Sequence, residues 1–151
     1  MADRALFFDA AKLRADLMLK DGQVALDDGL ATAVIISLFT DRRANADDRL
    51  PDDQRLAARP DRRGWWADPK MGSRLYLLHR EKQRAVVLAR AREYAAEALA
   101  WLIEDEVASS VDVAAEILGE GTLGLTIRIR RTDGTEAEYR FDYVWETRDA
   151  V

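Results

Sequence analysis

Apolar and polar residues alternate in three consecutive stretches at the C-terminal end of the chain. Val107, Val111, Val113 and Ile117 alternate with Ser110, Asp112 and Glu116. Leu123, Leu125, Ile127 and Ile129 alternate with Thr126, Arg128 and Arg130, and Tyr139, Phe141, Tyr143 and Trp145 with Glu138, Arg140 and Asp142. A period of two marks strands buried on one face. The turns test the register, because directly opposed residues share a face. A two-residue Asp133-Gly134 turn sets Ile129 against Glu138 and fails. A three-residue loop, Thr132-Asp133-Gly134, with glycine in the left-handed position, sets Ile127 against Tyr139 and Leu125 against Phe141. It also sets Arg130 against Glu136 and Arg128 against Glu138. Gly119-Glu120-Gly121 has the same form and sets Val113 against Ile127, Ala115 against Leu125 and Asp112 against Arg128. The result is a meander over 107–118, 122–131 and 135–145.

Before it, a helical period runs from Arg84 to Glu106. Val87, Ala91, Tyr94, Ala98 and Trp101 form one stripe, with Leu88, Ala95, Leu99 and Leu102 beside it. That stripe fits the inner face of the meander, and Arg84, Arg90, Arg92, Glu93 and Glu97 are left for water. The N-terminal half is less regular. Residues from Met1 to about Arg14 show no period. Asp21-Gly22 lies between apolar runs and predicts a hairpin with Leu19 opposite Val24 and Leu17 opposite Leu26. Asp27 or Asp28 can cap a helix starting near Gly29, apolar on most sides and so buried. Residues 44–60 read as a long irregular loop, and Ser73 opens a short helical segment through Leu78 and His79. The class is α+β: N-terminal β-hairpin, buried helix, long loop, and a long amphipathic helix packed on a three-stranded antiparallel meander.

At 151 residues, 48% apolar and 34% charged, the chain fits one globular domain over 1–151. A net charge of −5 argues against sequence-blind nucleic-acid binding. No apolar run is long enough to span a bilayer, so no membrane partner is expected. The absence of cysteine excludes disulfides, zinc fingers and thiol nucleophiles. The N-terminus shows no secretion signal. A soluble protein made in the cytoplasm is the expectation.

Candidate chemistry is sparse. His79 is the sole histidine and reads as a partly exposed helix-end residue. Asp47-Asp48 and Asp52-Asp53 sit in a polar stretch and read as solvated. No residue set has metal-ligand spacing, so no catalytic residue, metal or cofactor is assigned. The glycines between Gly119 and Gly124 join antiparallel strands and open no helix, which is wrong for a phosphate cradle. Arg42-Arg43 and Arg62-Arg63-Gly64-Trp65-Trp66 differ, since arginine and tryptophan are enriched at interfaces. One tryptophan of the pair is expected in the core and the other at a partner.

The stretches Asp28–Ala44, Asp61–Trp66 and Gly72–Leu78, with Tyr94–Ile103 and Arg140–Tyr143, resemble the Mu-like phage tail protein 46 family. That family is similar to the baseplate wedge proteins of contractile tails, some once labelled acidic lysozymes. The resemblance implies a structural, non-enzymatic protein of the virion tail baseplate, assembled in the host bacterial cytoplasm. Its implied partners are other baseplate wedge proteins, the tail sheath protein and tail tube proteins, with sheath assembly seeded by strand addition. The wider group carries a Glu-Pro-Arg motif at its wedge contact. This chain has none, so the contact is assigned to Arg42, Arg43, Arg62, Arg63, Trp65 and Trp66. The sheet edge at Tyr139, Arg140, Phe141 and Asp142, or the one at Val107–Leu118, is the expected site of strand addition. Two other readings stand beside this one: a peptidoglycan-degrading enzyme using an acid such as Glu104 or Asp105, and a free adaptor for a host protein.

Overall fold

The computed structural model describes residues 3–10, 12, 14–24, 26–27, 29–50, 62–79, 81–82, 84–119 and 121–145. Short strands open the chain: β1 (Asp3–Arg4), β2 (Leu6–Asp9), β3 (Arg14–Leu17), β4 (Leu19–Lys20), β5 (Gln23–Val24) and β6 (Leu26–Asp27). They pair antiparallel as β1–β6, β2–β3 and β4–β5. Asp21 and Gly22 both have positive φ, 53° and 77°, as a hairpin turn matched to strand twist requires. Leu19 faces Val24 as expected, but Leu17 faces Leu6, and Leu26 faces Arg4. The N-terminal stretch that shows no period supplies a four-pair partner for Leu17. The Asp-Gly hairpin closes after two pairs.

Helix α1 (Leu30–Phe39) has no exposed residue. The residue before it is Gly29, left-handed at φ 87°; the side chains of Asp27 and Asp28, the expected caps, lie outside the described residues. Burial of its polar side chains is offset by hydrogen bonds. Thr32 Oγ1 donates to the Arg4 carbonyl (2.8 Å) and Ser37 Oγ to the Ala33 carbonyl (2.7 Å). Further along the chain, Leu75–Leu78 forms a 3-10 turn whose four side chains are all buried.

The expected helix over Arg84–Glu106 forms as one long bent helix of two runs, α2 (Arg84–Leu99) and α3 (Trp101–Glu104), joined at Ala100, which keeps right-handed helical angles (φ −58°, ψ −31°). The stripe through Val87, Ala91, Tyr94, Ala95, Ala98, Leu99 and Leu102 is buried as its spacing requires. Glu106 stops the run in a left-handed conformation, φ 58°. The Glu106 and Val107 N–H groups donate back to Ile103 and Leu102, a Schellman closure.

Strands β7 (Ala108–Gly119), β8 (Thr122–Arg131) and β9 (Glu136–Val144) form the meander. The Ile127↔Tyr139, Leu125↔Phe141, Val113↔Ile127 and Ala115↔Leu125 pairs all occur, and Gly134 is left-handed at φ 89°. Leu123, Leu125, Ile127 and Ile129 are fully buried beneath the helices. A register shift between Ala108 and Ser110 moves one expectation: Ala108 points inward and Val107 is exposed. The bulge absorbs a residue, so the period of two does not extend through it. On the outer face Arg128 Nε donates to Glu138 (2.9 Å) and Arg130 lies 3.5 Å from Glu136. Hydrogen bonds from Arg128 and then Arg140 hold the Glu138 carboxyl below its ordinary value. A depressed carboxyl favours the fold above its unfolded pKa and loses that contribution as pH falls through the folded value. An NMR titration should place Glu138 below a free glutamate, and Arg128→Gln with Arg140→Gln should return it upward. Unchanged titration in the double variant contradicts this assignment.

Candidate functional site

The chain leaves α1 at Thr40 and is irregular to Leu50; the rest of the expected 44–60 loop, with Asp52-Asp53, lies outside the described residues. Residues 40–44 and the segment from Arg62 to Tyr76 are stitched together. Arg42 N–H donates to the Ser73 carbonyl (2.9 Å) and Ser73 N–H to the Thr40 carbonyl (2.8 Å). Arg43 N–H donates to Pro69 (3.0 Å) and Ala44 N–H to Arg62 (2.9 Å). The Tyr76 hydroxyl sits between the carbonyl oxygens of Arg42 and Arg62, at 2.8 and 3.0 Å. Arg62 Nη1 donates to the Asn45 carbonyl (2.6 Å). The two arginine pairs, 19 residues apart or more by numbering, therefore belong to one surface. Gly64 makes the approach possible: its φ is 102°, and a Cβ there would lie 2.8 Å from Arg43 Cβ.

On this surface Arg63 pairs with Asp41 and stands over the Tyr76 ring, 4.8 Å from its centroid. Arg43 is exposed and, among the described residues, has no carboxylate partner. Trp65 is 46% and Trp66 90% exposed, their ring centroids 5.9 Å apart. Neither tryptophan enters the core, against the expectation that one does. The core takes Trp145, whose Nε1 donates to the Glu81 carbonyl (3.0 Å), and Trp101 packs against it with Nε1 on Ser37 Oγ (2.9 Å). Those positions lie in or beside regular elements, where a large ring can be enclosed. Trp65 and Trp66 follow a left-handed glycine in irregular chain.

Beneath the surface lies an ionic cluster that sequence reasoning missed. Arg74 is 6% exposed. Its Nε and Nη2 reach the two Glu97 oxygens (3.0 Å each), and Nη1 reaches both Asp48 oxygens (2.8 and 3.0 Å). Its guanidinium lies over Tyr94, 4.6 Å from the ring centroid. Burial alone would lower the Arg74 pKa; the hydrogen bonds to Glu97 and Asp48 outweigh it and push the value up. Two expectations are corrected: Asp48 is not solvated, its side chain being 11% exposed, and Glu97 faces Arg74 as well as solvent. The available signal was the position of Arg74 itself, directly before the apolar run Leu75–Leu78.

The strand residues divide by face. Tyr139 and Phe141 point inward and are half-buried, Phe141 standing edge-on to Phe39 at 5.3 Å. Arg140 and Asp142 are exposed on the outer face, with Arg140 Nε donating to Glu138 (3.0 Å). Both β7 and β9 pair only with β8 among the described residues, so each presents an open edge. A groove of about 780 Å³ between α1, residues 68–72 and the α2–α3 bend is lined by Ile36, Met71 and Trp101. Glu104 and Asp105 stand at it exposed, without the burial a general acid needs. His79 is half-buried at the end of the 3-10 turn. Among the described residues no group of acids and histidine could hold a metal, and no helix is long and apolar enough to cross a membrane.

A family model described as phage protein GP46 matches residues 30–136. The chain is 46% identical over 132 residues to the baseplate protein gp46 of Escherichia phage Mu, across 85% of this chain and 88% of that protein. It is 36% identical over 150 residues to the Mu-like prophage FluMu protein gp46 of Haemophilus influenzae, across 96% and 98%.

Proposed function

The chain belongs to the phage protein GP46 family, and from that premise we propose that it is a structural component of a phage tail baseplate, without enzymatic activity. The single observation that carries this reading is the likeness to the Mu baseplate protein along nearly the whole of both chains. The exposed tryptophans beside Arg43 and Arg63 support a docking surface for other baseplate wedge proteins. A mass-spectrometric inventory of purified tails tests the assignment: the chain should be present in intact particles, and its absence from them removes the reading. Purified protein should give no clearing of peptidoglycan.

Trp66→Ala should leave the melting temperature unchanged, because the ring is exposed, and should abolish incorporation into tails. Normal incorporation removes Trp66 from the docking surface.

The open sheet edges support the finer proposal, that strands of the tail sheath protein add to this sheet and so seed the sheath. Trp145 N–H donates to Gly121 and Arg131 N–H to Thr135, so the odd-numbered residues of β9 bond to β8. Antiparallel alternation then turns the N–H groups of Glu138, Arg140 and Asp142 outward, and on β7 those of Val111, Val113 and Ala115. Arg140→Pro and Val113→Pro each remove an edge donor while sparing the internal ladder. Sheath assembly that survives both substitutions in one chain sinks the strand-addition proposal.

A further inference from the structure

Among the described residues Arg74 is the only charged residue that is buried. A buried ion cluster is a poor source of stability, since apolar side chains of similar volume do as well or better. It does impose direction, because a planar guanidinium accepts carboxylates in one geometry. Here the partners come from three separate pieces of chain: Asp48 from the irregular residues 44–50, Glu97 from α2, and Arg74 ahead of the 3-10 turn. Two routes lead outward from the cluster to the arginine surface. Glu97 Oε1 is also 3.7 Å from Arg42 Nη1. Asp48 Oδ2 accepts the Asn45 N–H (2.7 Å), and the Asn45 carbonyl accepts Arg62 Nη1 (2.6 Å).

We infer that Arg74, Asp48 and Glu97 are positioning residues for the docking surface: they fix Arg42 and Arg62 in one arrangement and do not themselves touch the partner. The docking role rests on the function proposed above; the positioning does not. The test replaces the cluster together, as Asp48→Leu, Arg74→Met and Glu97→Met, which leaves no unpaired buried charge. The triple variant should melt near the native temperature. Amide exchange at Arg42, Arg43 and Ala44, none of which bonds a substituted side chain through its N–H, should become at least about tenfold faster, the change produced by about 1.4 kcal/mol of lost local stability. Exchange in α2 and β8 should stay native. Unchanged exchange at residues 42–44 overturns the inference. Should the triple variant not fold, Glu97→Gln carries the test, with the same acceleration expected and the same result overturning it. Incorporation into tails is read in parallel. Fast exchange with reduced incorporation supports the whole inference. Fast exchange with normal incorporation keeps the positioning role and overturns the docking function.

Discussion

Gly72→Ala is expected to destabilise the fold by about 4 kcal/mol, summed from backbone strain and overpacking of roughly 1–3 kcal/mol each. Gly72 has φ 100°, which a side chain resists. A Cβ there would fall on the Thr40 carbonyl oxygen, with the carbonyl carbon 2.7 Å away. Backbone cannot yield easily at this point. The Thr40 carbonyl accepts the Ser73 N–H, and Ser73 in turn accepts from Arg42. The added methyl therefore pushes apart the bridge that holds Ser73 against residues 40–42. Urea denaturation of the purified variant measures the loss. A cost below about 1 kcal/mol would mean that the Thr40 segment shifts freely, and the stitched arrangement of residues 40–44 would then not be rigid.

Arg74→Met alone should cost about 3 kcal/mol, the lower end of what breaking a buried ion pair costs. The lower end applies because the Glu97 side chain is 30% exposed and can draw water, whereas Asp48 is 11% exposed. The substitution leaves these two carboxylates facing an apolar side chain with no cation between them. For a chain of this size about 3 kcal/mol lowers the melting temperature by roughly 10 °C. Thermal unfolding followed by circular dichroism measures it. The comparison with the triple apolar variant is the informative one: the single change should be much worse than all three together. Equal losses would show that the space, not the charge, is what Arg74 fills.

Much of the fold is legible in the sequence alone. The meander registers followed from period, turn chemistry and cross-strand charge, three signals that lie within about 35 residues of one another. The burial of α1 followed from its apolar circumference. Legibility failed where the partner was distant or the local pattern broke. Leu17 went to Leu6 because a four-residue strand carries too little period to be read. Val107 turned outward because a bulge interrupts the alternation. The helix over 84–106 formed as its period requires, but its bend at Ala100 is announced by no proline or glycine.

The candidate surface was half legible. Arg42-Arg43 and Arg62-Arg63-Gly64-Trp65-Trp66 stood out by residue type, and the sequence by itself determined that these residues exist as motifs and that the family resemblance runs through them. It also determined the class of the fold, because strand and helix periods are local properties of the chain. Only the tertiary structure decided that the two motifs share one surface, that both tryptophans remain outside the core, and that Arg74 is buried among Asp48, Glu97 and Tyr94. The physical reason is the same in each case. A hydrogen bond or ion pair between residues 14 to 34 positions apart, such as Tyr76 with Arg62 and Arg42 or Arg74 with Asp48, leaves no periodic trace along the chain. It exists only once the core has brought its ends together.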